Sequence, residues 1–462
     1  FRYKTGAKMR ETENSKLWRR AKELFYRPRN EWTPGDEMVY CLGDYFNVPE
    51  DGIEKQRFKA IKYAFNHHYS NNLFYNKYCK DRGVKPDDIR NEDDFTKIPM
   101  IADTFFKSYP SEEPRNVYEW LYRSSSVDIG EFDFNGNSLE DFLGWAEKRL
   151  KGIVNHSSGT SGKFSIMFRD KVTYQRIFYI AVKSIFFDII PPTDRAHFVY
   201  PGSTKTHLTM GRFIQEASRV FDDLNRHFLT DRPLTMEIIK LMSTGRAEGF
   251  KEKIEFRLLQ KAMKKGQSQI LELLEKLDRE KKQVYMVTFP FQLFDLMKMM
   301  EKDGKILNLG ESNSLIITGG GWKIHEHKKV SEKEFAEMIE RNLGVPPSNY
   351  RDLYGMSEMN GLAIGCDGRY KHLTPWIYPM VLDDNQEPVG YDEWGRFAFL
   401  DPLANSYPGF MMSGDRVKIL EECPECGKTG PVLESEITRL PGVEPKGCGN
   451  LMRELLATEM AK

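Results

Sequence analysis

The chain has 462 residues, 40% of them apolar and 13% aromatic, which is long enough for two or three domains and rich enough to bury large cores. Its 68 basic and 68 acidic side chains cancel, so no overall field draws it to nucleic acid or to an anionic membrane. Apolar runs such as residues 185–192 fall far short of the roughly 20 residues that cross a bilayer. With no basic-then-apolar pattern at the N-terminus, the expectation is a cytoplasmic protein with no membrane span and no nucleic-acid partner.

Residues 1–150 read as a mainly helical part, with Phe58, Ile61, Phe65 and Leu73 at amphipathic spacing and turns at residues 83–86 and at Ile98-Pro99. This part is expected to pack on a sheet built from residues 151–412. There, short β runs alternate with helical stretches: Phe164 to Phe168, Ala196 to Tyr200, Gln283 to Thr288, Ser314 to Thr318 and the run into Tyr354. That alternation predicts an α/β fold with functional loops at strand ends. Residues 250–282 read as one or two charged surface helices, and residues 413–462 as a short β segment with a cysteine knuckle and a tail.

Four segments carry chemistry. His156-Ser157-Ser158-Gly159-Thr160-Ser161-Gly162-Lys163 has the composition of a phosphate cradle: hydroxyls, glycines that let backbone N–H groups close on an anion, and one cation. It is not a P-loop, because a strand pattern follows it where a P-loop opens a helix; a solvated hairpin has the same composition. Gly319-Gly320-Gly321-Trp322 ends a strand where backbone can approach a flat base. In Tyr354-Gly355-Met356-Ser357-Glu358 the Tyr ring can stack on adenine, and the Glu can hold Mg²⁺ at the phosphates. Asp415, in Ser413-Gly414-Asp415-Arg416, can accept from ribose hydroxyls. Each also has a bland reading as a turn or a packed residue; their joint occurrence points to ATP.

Six cysteines are too few for a disulfide scaffold, and they are unevenly spread. Cys423 and Cys426 form a C-x-x-C knuckle. Cys366 and His372 can complete a Cys₃His shell, which suits structural Zn²⁺ better than a hard cation. Reduced thiols in a surface turn, with His372 in an unrelated role, are the alternative.

In order and spacing these segments resemble the adenylate-forming superfamily of acyl- and aryl-CoA ligases, over roughly residues 60 to 450. The cradle resembles its Ser/Thr-Gly phosphate motif, Tyr354 to Glu358 its Tyr-Gly-x-Thr/Ser-Glu motif, and Gly414-Asp415 its Thr-Gly-Asp motif. His68 to Tyr75, Gly83 to Ile89, Ile98-Pro99, Trp322 and the Cys/His set resemble the phenylacetate-CoA ligase branch. Ser157 to Gly162, Gly319 to Lys323, Ser357-Glu358-Met359-Asn360 and the tail from Arg439 to Gly449 resemble LuxE-type long-chain acyl-protein synthetases.

The resemblance implies an adenylate-forming fold in which ATP and a carboxylic acid, expected to be fatty, give an acyl-adenylate and pyrophosphate; a thiol then takes the acyl group. The cradle and Lys163 would hold the β,γ-phosphates, Glu358 Mg²⁺, Tyr354, Gly355, the triglycine and Trp322 the adenine, and Asp415 the ribose. Ser357 and Arg439 join the nucleotide contacts. His156 would orient the acyl carboxylate or guard its pocket, unless it is a capping or core residue. Only 47 residues follow Asp415, too few for the mobile C-terminal domain of typical CoA ligases, which is expected to be lacking. CoA is then doubtful as acceptor, and Cys448, flanked by glycines and near Lys446, becomes the candidate acyl carrier, with an acyl-protein reductase as partner. An acyl- or aryl-CoA ligase is the alternative; a degenerate binding module is disfavoured because no expected site residue is missing.

Overall fold

The computed structural model describes residues 15–157, 163–203, 205–244 and 249–440. Ser158, Gly159, Thr160, Ser161, Gly162 and Cys448 therefore lie outside the described residues. The strands in chain order are β1 (Ile101–Ala102), β2 (Gly152–His156), β3 (Ile166–Asp170), β4 (His197–Ser203), β5 (Arg226–Thr230), β6 (Val284–Thr288), β7 (Leu315–Gly319), β8 (Tyr350–Tyr354), β9 (Ala363–Gly365), β10 (Lys371–Leu373), β11 (Tyr378–Leu382), β12 (Trp394–Leu400), β13 (Phe410–Leu420), β14 (Val432–Leu433) and β15 (Thr438–Arg439).

One large sheet runs β11-β12-β13-β14-β10-β9-β8-β7-β6-β4-β5, with β1 and β15 also paired to β13. The stretch β8-β7-β6-β4-β5 is parallel, and from β9 onward the pairing along this path is antiparallel. β2 and β3 form a separate antiparallel hairpin.

The central strands β6 and β7 are buried along their whole length because both faces are covered, and residues of the parallel strands alternate between two cores. Phe198, Tyr200, Tyr285, Val287, Leu315 and Ile317 face a core shared with the N-terminal helices. Val199, Val284, Met286, Ile316 and Tyr350 face a second core, closed by the helices Phe250–Arg279, Pro290–Asp303 and Glu332–Leu343. Local chemistry sets the ends of these helices. The Ser331 side chain accepts from the Glu334 N–H, and Gly304 and Gly344 end their helices at φ +62° and +66°, the left-handed region glycine enters without a Cβ clash.

The charged 250–282 stretch is one helix, Phe250–Arg279, whose Ile270, Leu271, Leu274 and Leu277 are buried while Ile254 and Leu258 are exposed. Helices dominate up to Arg149. One N-terminal segment enters the sheet itself: β1 pairs in parallel with Met411 and Met412 of β13. No helix of the described residues is long and apolar enough to cross a membrane.

Candidate active site

The carboxyl ends of parallel strands are where an α/β sheet leaves a crevice for ligands, and β7 and β8 end there with Gly319 and Tyr354. The Tyr354 hydroxyl donates to Oδ2 of Asp415 at 2.8 Å, and Arg439 donates from Nη1 to Oδ1 of the same carboxylate at 2.6 Å. Burial, and then the Asp415 charge, push the Tyr354 phenol up, so it remains a donor. Arg439 faces Asp415 because the two are partners in the β13–β15 ladder. Asp103, just after β1, accepts from the Gly414 N–H at 3.3 Å and from Arg439 Nη2 at 3.5 Å. At Gly355 a Cβ would meet nothing within 4 Å, so open space adjoins this strand end.

Glu358 is buried, and its carboxyl is pushed up to about 7, first by burial and then by the Asp103 charge, against the opposing cations Lys107 and Arg169. A buried polar chain holds its backbone from behind. Arg169 donates from Nη2 to the Ser357 carbonyl and to the Tyr407 hydroxyl. That hydroxyl lies 3.2 Å from both the Glu358 carbonyl and Asn360 Oδ1, one of which takes its proton. Asn360 donates from its backbone N–H and its amide to Asp401 Oδ2 at 2.6 and 3.2 Å. Arg169 lies on β3, so this chain also ties the hairpin that carries the cradle sequence to the Tyr354–Glu358 segment.

The two described ends of the cradle are engaged within the protein. Ser157 Oγ accepts from the Ser165 N–H at 2.9 Å, a bond that closes the hairpin. Lys163 donates to the Tyr109 carbonyl at 2.6 Å, with its ammonium 3.8 Å from the centre of the Tyr109 ring. His156 is buried, and burial pushes its imidazole down to about 4, so the ring is neutral. Its Nδ1 lies 2.8 Å from the Ser157 carbonyl and carries the proton for that bond, which leaves Nε2 an acceptor. An acceptor nitrogen offers a carboxylate no hydrogen bond, so this placement favours the core reading of His156.

Gly320 and Gly321 take φ values of +79° and +70°, and these two left-handed steps turn the chain away from the strand end. Trp322 consequently packs edge-on against Phe294 and Phe335 in the second core, with ring centres at 5.6 and 5.5 Å. The glycines are left as the part of that segment bordering the crevice.

The Cys/His set meets on the antiparallel side of the sheet. Cys366 follows β9, His372 lies in β10, and Cys423 and Cys426 follow β13; β14 pairs with both β10 and β13 and draws them together. The four ligand atoms all lie within 4.8 Å of one another. Four thiolate-type ligands at about 2.3 Å from one ion stand roughly 3.8 Å apart. The Cys366 and Cys423 sulfurs are 3.8 Å apart, and Cys426 Sγ is 3.1 Å from His372 Nε2. Burial pushes the Cys366 thiol up to about 12 and the His372 imidazole down to about 4. Both shifts oppose charge in a pocket that a bound cation would neutralise.

Asp103, Arg169, Tyr407 and Asp401 are not in the sequence-derived set. Arg169 follows the alternating run Ile166–Phe168 directly and so had a local signal; the other three had none, because their partners lie far away in sequence.

The fold is that of adenylate-forming acid–thiol ligases. A 2-hydroxyisobutyryl-CoA ligase solved in complex with 2-HIB-AMP and CoA superposes with a TM-score of 0.54 at 15% identity, covering 90% of this chain and 75% of that one. The same ligase in its thioesterification state gives 0.55 at 16% identity, covering 90% and 74%. Residues 262–457 match the model of the family described as acyl-protein synthetase, LuxE. Two relatives named long-chain-fatty-acid–luciferin-component ligase are similar over most of their length. The one from Aliivibrio fischeri is 24% identical over 402 residues, 87% of this chain and 88% of its own. The one from Vibrio harveyi is 23% identical over 398 residues, 86% and 87% respectively.

Proposed function

We propose that this protein is an ATP-dependent ligase that activates a long-chain fatty acid as its acyl-adenylate and passes the acyl group to a protein cysteine. In the first half-reaction a carboxylate oxygen bonds to the α-phosphorus of ATP and pyrophosphate leaves. In the second, a thiolate bonds to the acyl carbon and AMP leaves. A carboxylate nucleophile needs no general base, so the protein's task is positioning and charge neutralisation. The observation that carries this reading is the joining, at the ends of β7 and β8, of the Tyr354–Asp415–Arg439 network, the Glu358 carboxyl and the cradle hairpin tied in by Arg169.

Asp415 takes the ribose hydroxyls, Tyr354 and Gly355 border the adenine together with Gly319 and Gly320, and the hairpin with Ser157 and Lys163 serves the phosphates. Lys163 reaches them by leaving Tyr109. Glu358 fits Mg²⁺: burial and a neighbouring carboxylate raise its carboxyl to about 7, and a bound cation would offset both and favour the carboxylate. When bound, Mg²⁺ neutralises phosphate charge as pyrophosphate departs. The Cys366, His372, Cys423 and Cys426 set fits a closed zinc site, with four protein ligands and no position for substrate, and its role is to brace β13.

Cys448 is the acyl carrier, within the segment matched to acyl-protein synthetases. A thioester there is poised for a reductase partner, and the cytoplasm supplies both the ATP and the reduced thiol that the cycle needs.

The test is incubation with ATP, Mg²⁺ and a labelled fatty acid. Pyrophosphate release and a hydroxylamine-labile adduct on Cys448 are expected, and Cys448→Ala should keep the first and lose the second. Label on Cys41 or Cys79, or only on added free CoA, overturns the acyl-protein reading.

A further inference from the structure

Asp103 belongs to none of the segments that suggest nucleotide chemistry, yet it grips the Asp415 turn from two sides. It opens the short turn Asp103–Lys107 directly after β1, whose pairing with Met411 and Met412 carries it alongside β13. Its side chain is nearly buried, and its two recorded bonds cross to partners 311 and 336 residues away in sequence. One partner is the N–H of Gly414, which immediately precedes Asp415. The other is the guanidinium of Arg439, which faces Asp415 across the ladder and holds its Oδ1.

This placement is costly for stability alone. Asp103 puts a third carboxyl beside Asp415 and Glu358, and its charge is among the causes that raise both Glu358 and Tyr354. The Arg439 side chain is 60% exposed, and an exposed arginine with one acidic partner is ordinarily held weakly. Two carboxylates hold it over the same aspartate, while the Gly414 bond fixes the backbone leading into that aspartate.

Resting on the reading of Asp415 as the ribose contact, we infer that Asp103 is a positioning residue for ribose recognition: by holding the Gly414 N–H and Arg439, it presents Asp415 to the nucleotide's 2′,3′-diol in one orientation. Asp103 itself does not touch the nucleotide. Its loss should therefore reduce the preference for a ribose carrying both hydroxyls and spare the affinity due to the base and phosphate.

The experiment measures calorimetric binding of AMP and of 2′,3′-dideoxy-AMP to the full chain and to Asp103→Ala and Asp103→Asn. The parent should prefer AMP by about tenfold or more, the scale of hydrogen bonds to a charged acceptor. In Asp103→Ala the preference should fall to about threefold or less, with dideoxy-AMP affinity unchanged. Asp103→Asn keeps an acceptor for Gly414 but loses the charge on Arg439, and should fall between. An unaltered preference in a folded Asp103→Ala overturns the inference; if that variant does not fold, an unaltered preference in Asp103→Asn does so. A parent that binds both nucleotides equally overturns the ribose reading of Asp415 together with it. A parent that prefers AMP but releases no pyrophosphate with any fatty acid overturns the proposed activity alone, and the ratios still decide the role of Asp103.

Discussion

One strand, β13, serves two sites of opposite design. In its middle, Asp415 belongs to a network completed by Asp103, Tyr354 and Arg439, three side chains from other parts of the chain. Beyond its end, Cys423 and Cys426 close on Cys366 and His372, and those four ligand atoms face one another within 4.8 Å. The network around Asp415 borders open space at Gly355, and its carboxyl neighbour Glu358 is raised toward neutrality, so it is prepared to take a charge it does not yet hold. The Cys/His set has its valences turned inward. A site that turns over substrate needs spare acceptors and room; a site that braces a strand needs neither.

Disrupting the proposed metal site should have the largest effect. Cys423→Ser, or stripping with a strong chelator, should lower unfolding free energy by about 5 kcal/mol or more, within the scale that four-ligand zinc binding contributes to folding. Elemental analysis should find close to one zinc per chain, and denaturant unfolding should show the loss. A chain with less than about half an equivalent of zinc, and a Cys423→Ser variant as stable as the parent, would erase the contrast between the two sites.

Next in size is Glu358→Gln, which should slow Mg²⁺-dependent pyrophosphate release about a hundredfold, near 2.7 kcal/mol, while leaving the melting temperature close to that of the parent. Unchanged release would remove Glu358 from the chemistry.

The third test separates the sites by pH. With the Glu358 carboxyl at about 7, the protein must lose a proton there to bind Mg²⁺ below that pH and need not above it. The Mg²⁺ concentration for half-maximal pyrophosphate release should therefore rise as pH falls, by up to about tenfold per unit below pH 7, and level off above about 8. His372, held neutral down to about 4, should not itself compete for a proton across pH 6 to 8, so any weakening of zinc binding as pH falls through that range should come from the thiols, Cys366 among them. A flat Mg²⁺ response over that range would show that Glu358 is not the group that binds the ion.

The smallest effect should come from Tyr354→Phe, which removes one hydrogen bond to Asp415 and keeps the ring. About a fivefold rise in the KM for ATP is expected, near 1 kcal/mol, with the KM for the fatty acid unchanged. An equal rise in both would place Tyr354 in the packing of the whole site instead of at the nucleotide.

Local pattern carried much of this protein. The β6, β7 and β8 runs, the long charged helix and the Cys/His set were all legible in the sequence, because alternation, helical spacing and C-x-x-C geometry act over a few residues. The motif at Tyr354 to Glu358 and the Gly414-Asp415 turn were legible for the same reason. What the sequence by itself determined was therefore where β3, β4, β6, β7 and β8 form and which segments are the candidates for phosphate, ribose and metal chemistry.

Only the tertiary structure decided how those segments are held and where their side chains turn. Two left-handed glycines send Trp322 into the second core, and Lys163 rests on Tyr109. Arg169 reaches a carbonyl 188 residues away, and Asp103 reaches Gly414 across 311. Such contacts follow from strand order and from parallel pairing between the N-terminal part and β13, and they leave no periodic trace in the sequence because each is a single meeting of distant groups.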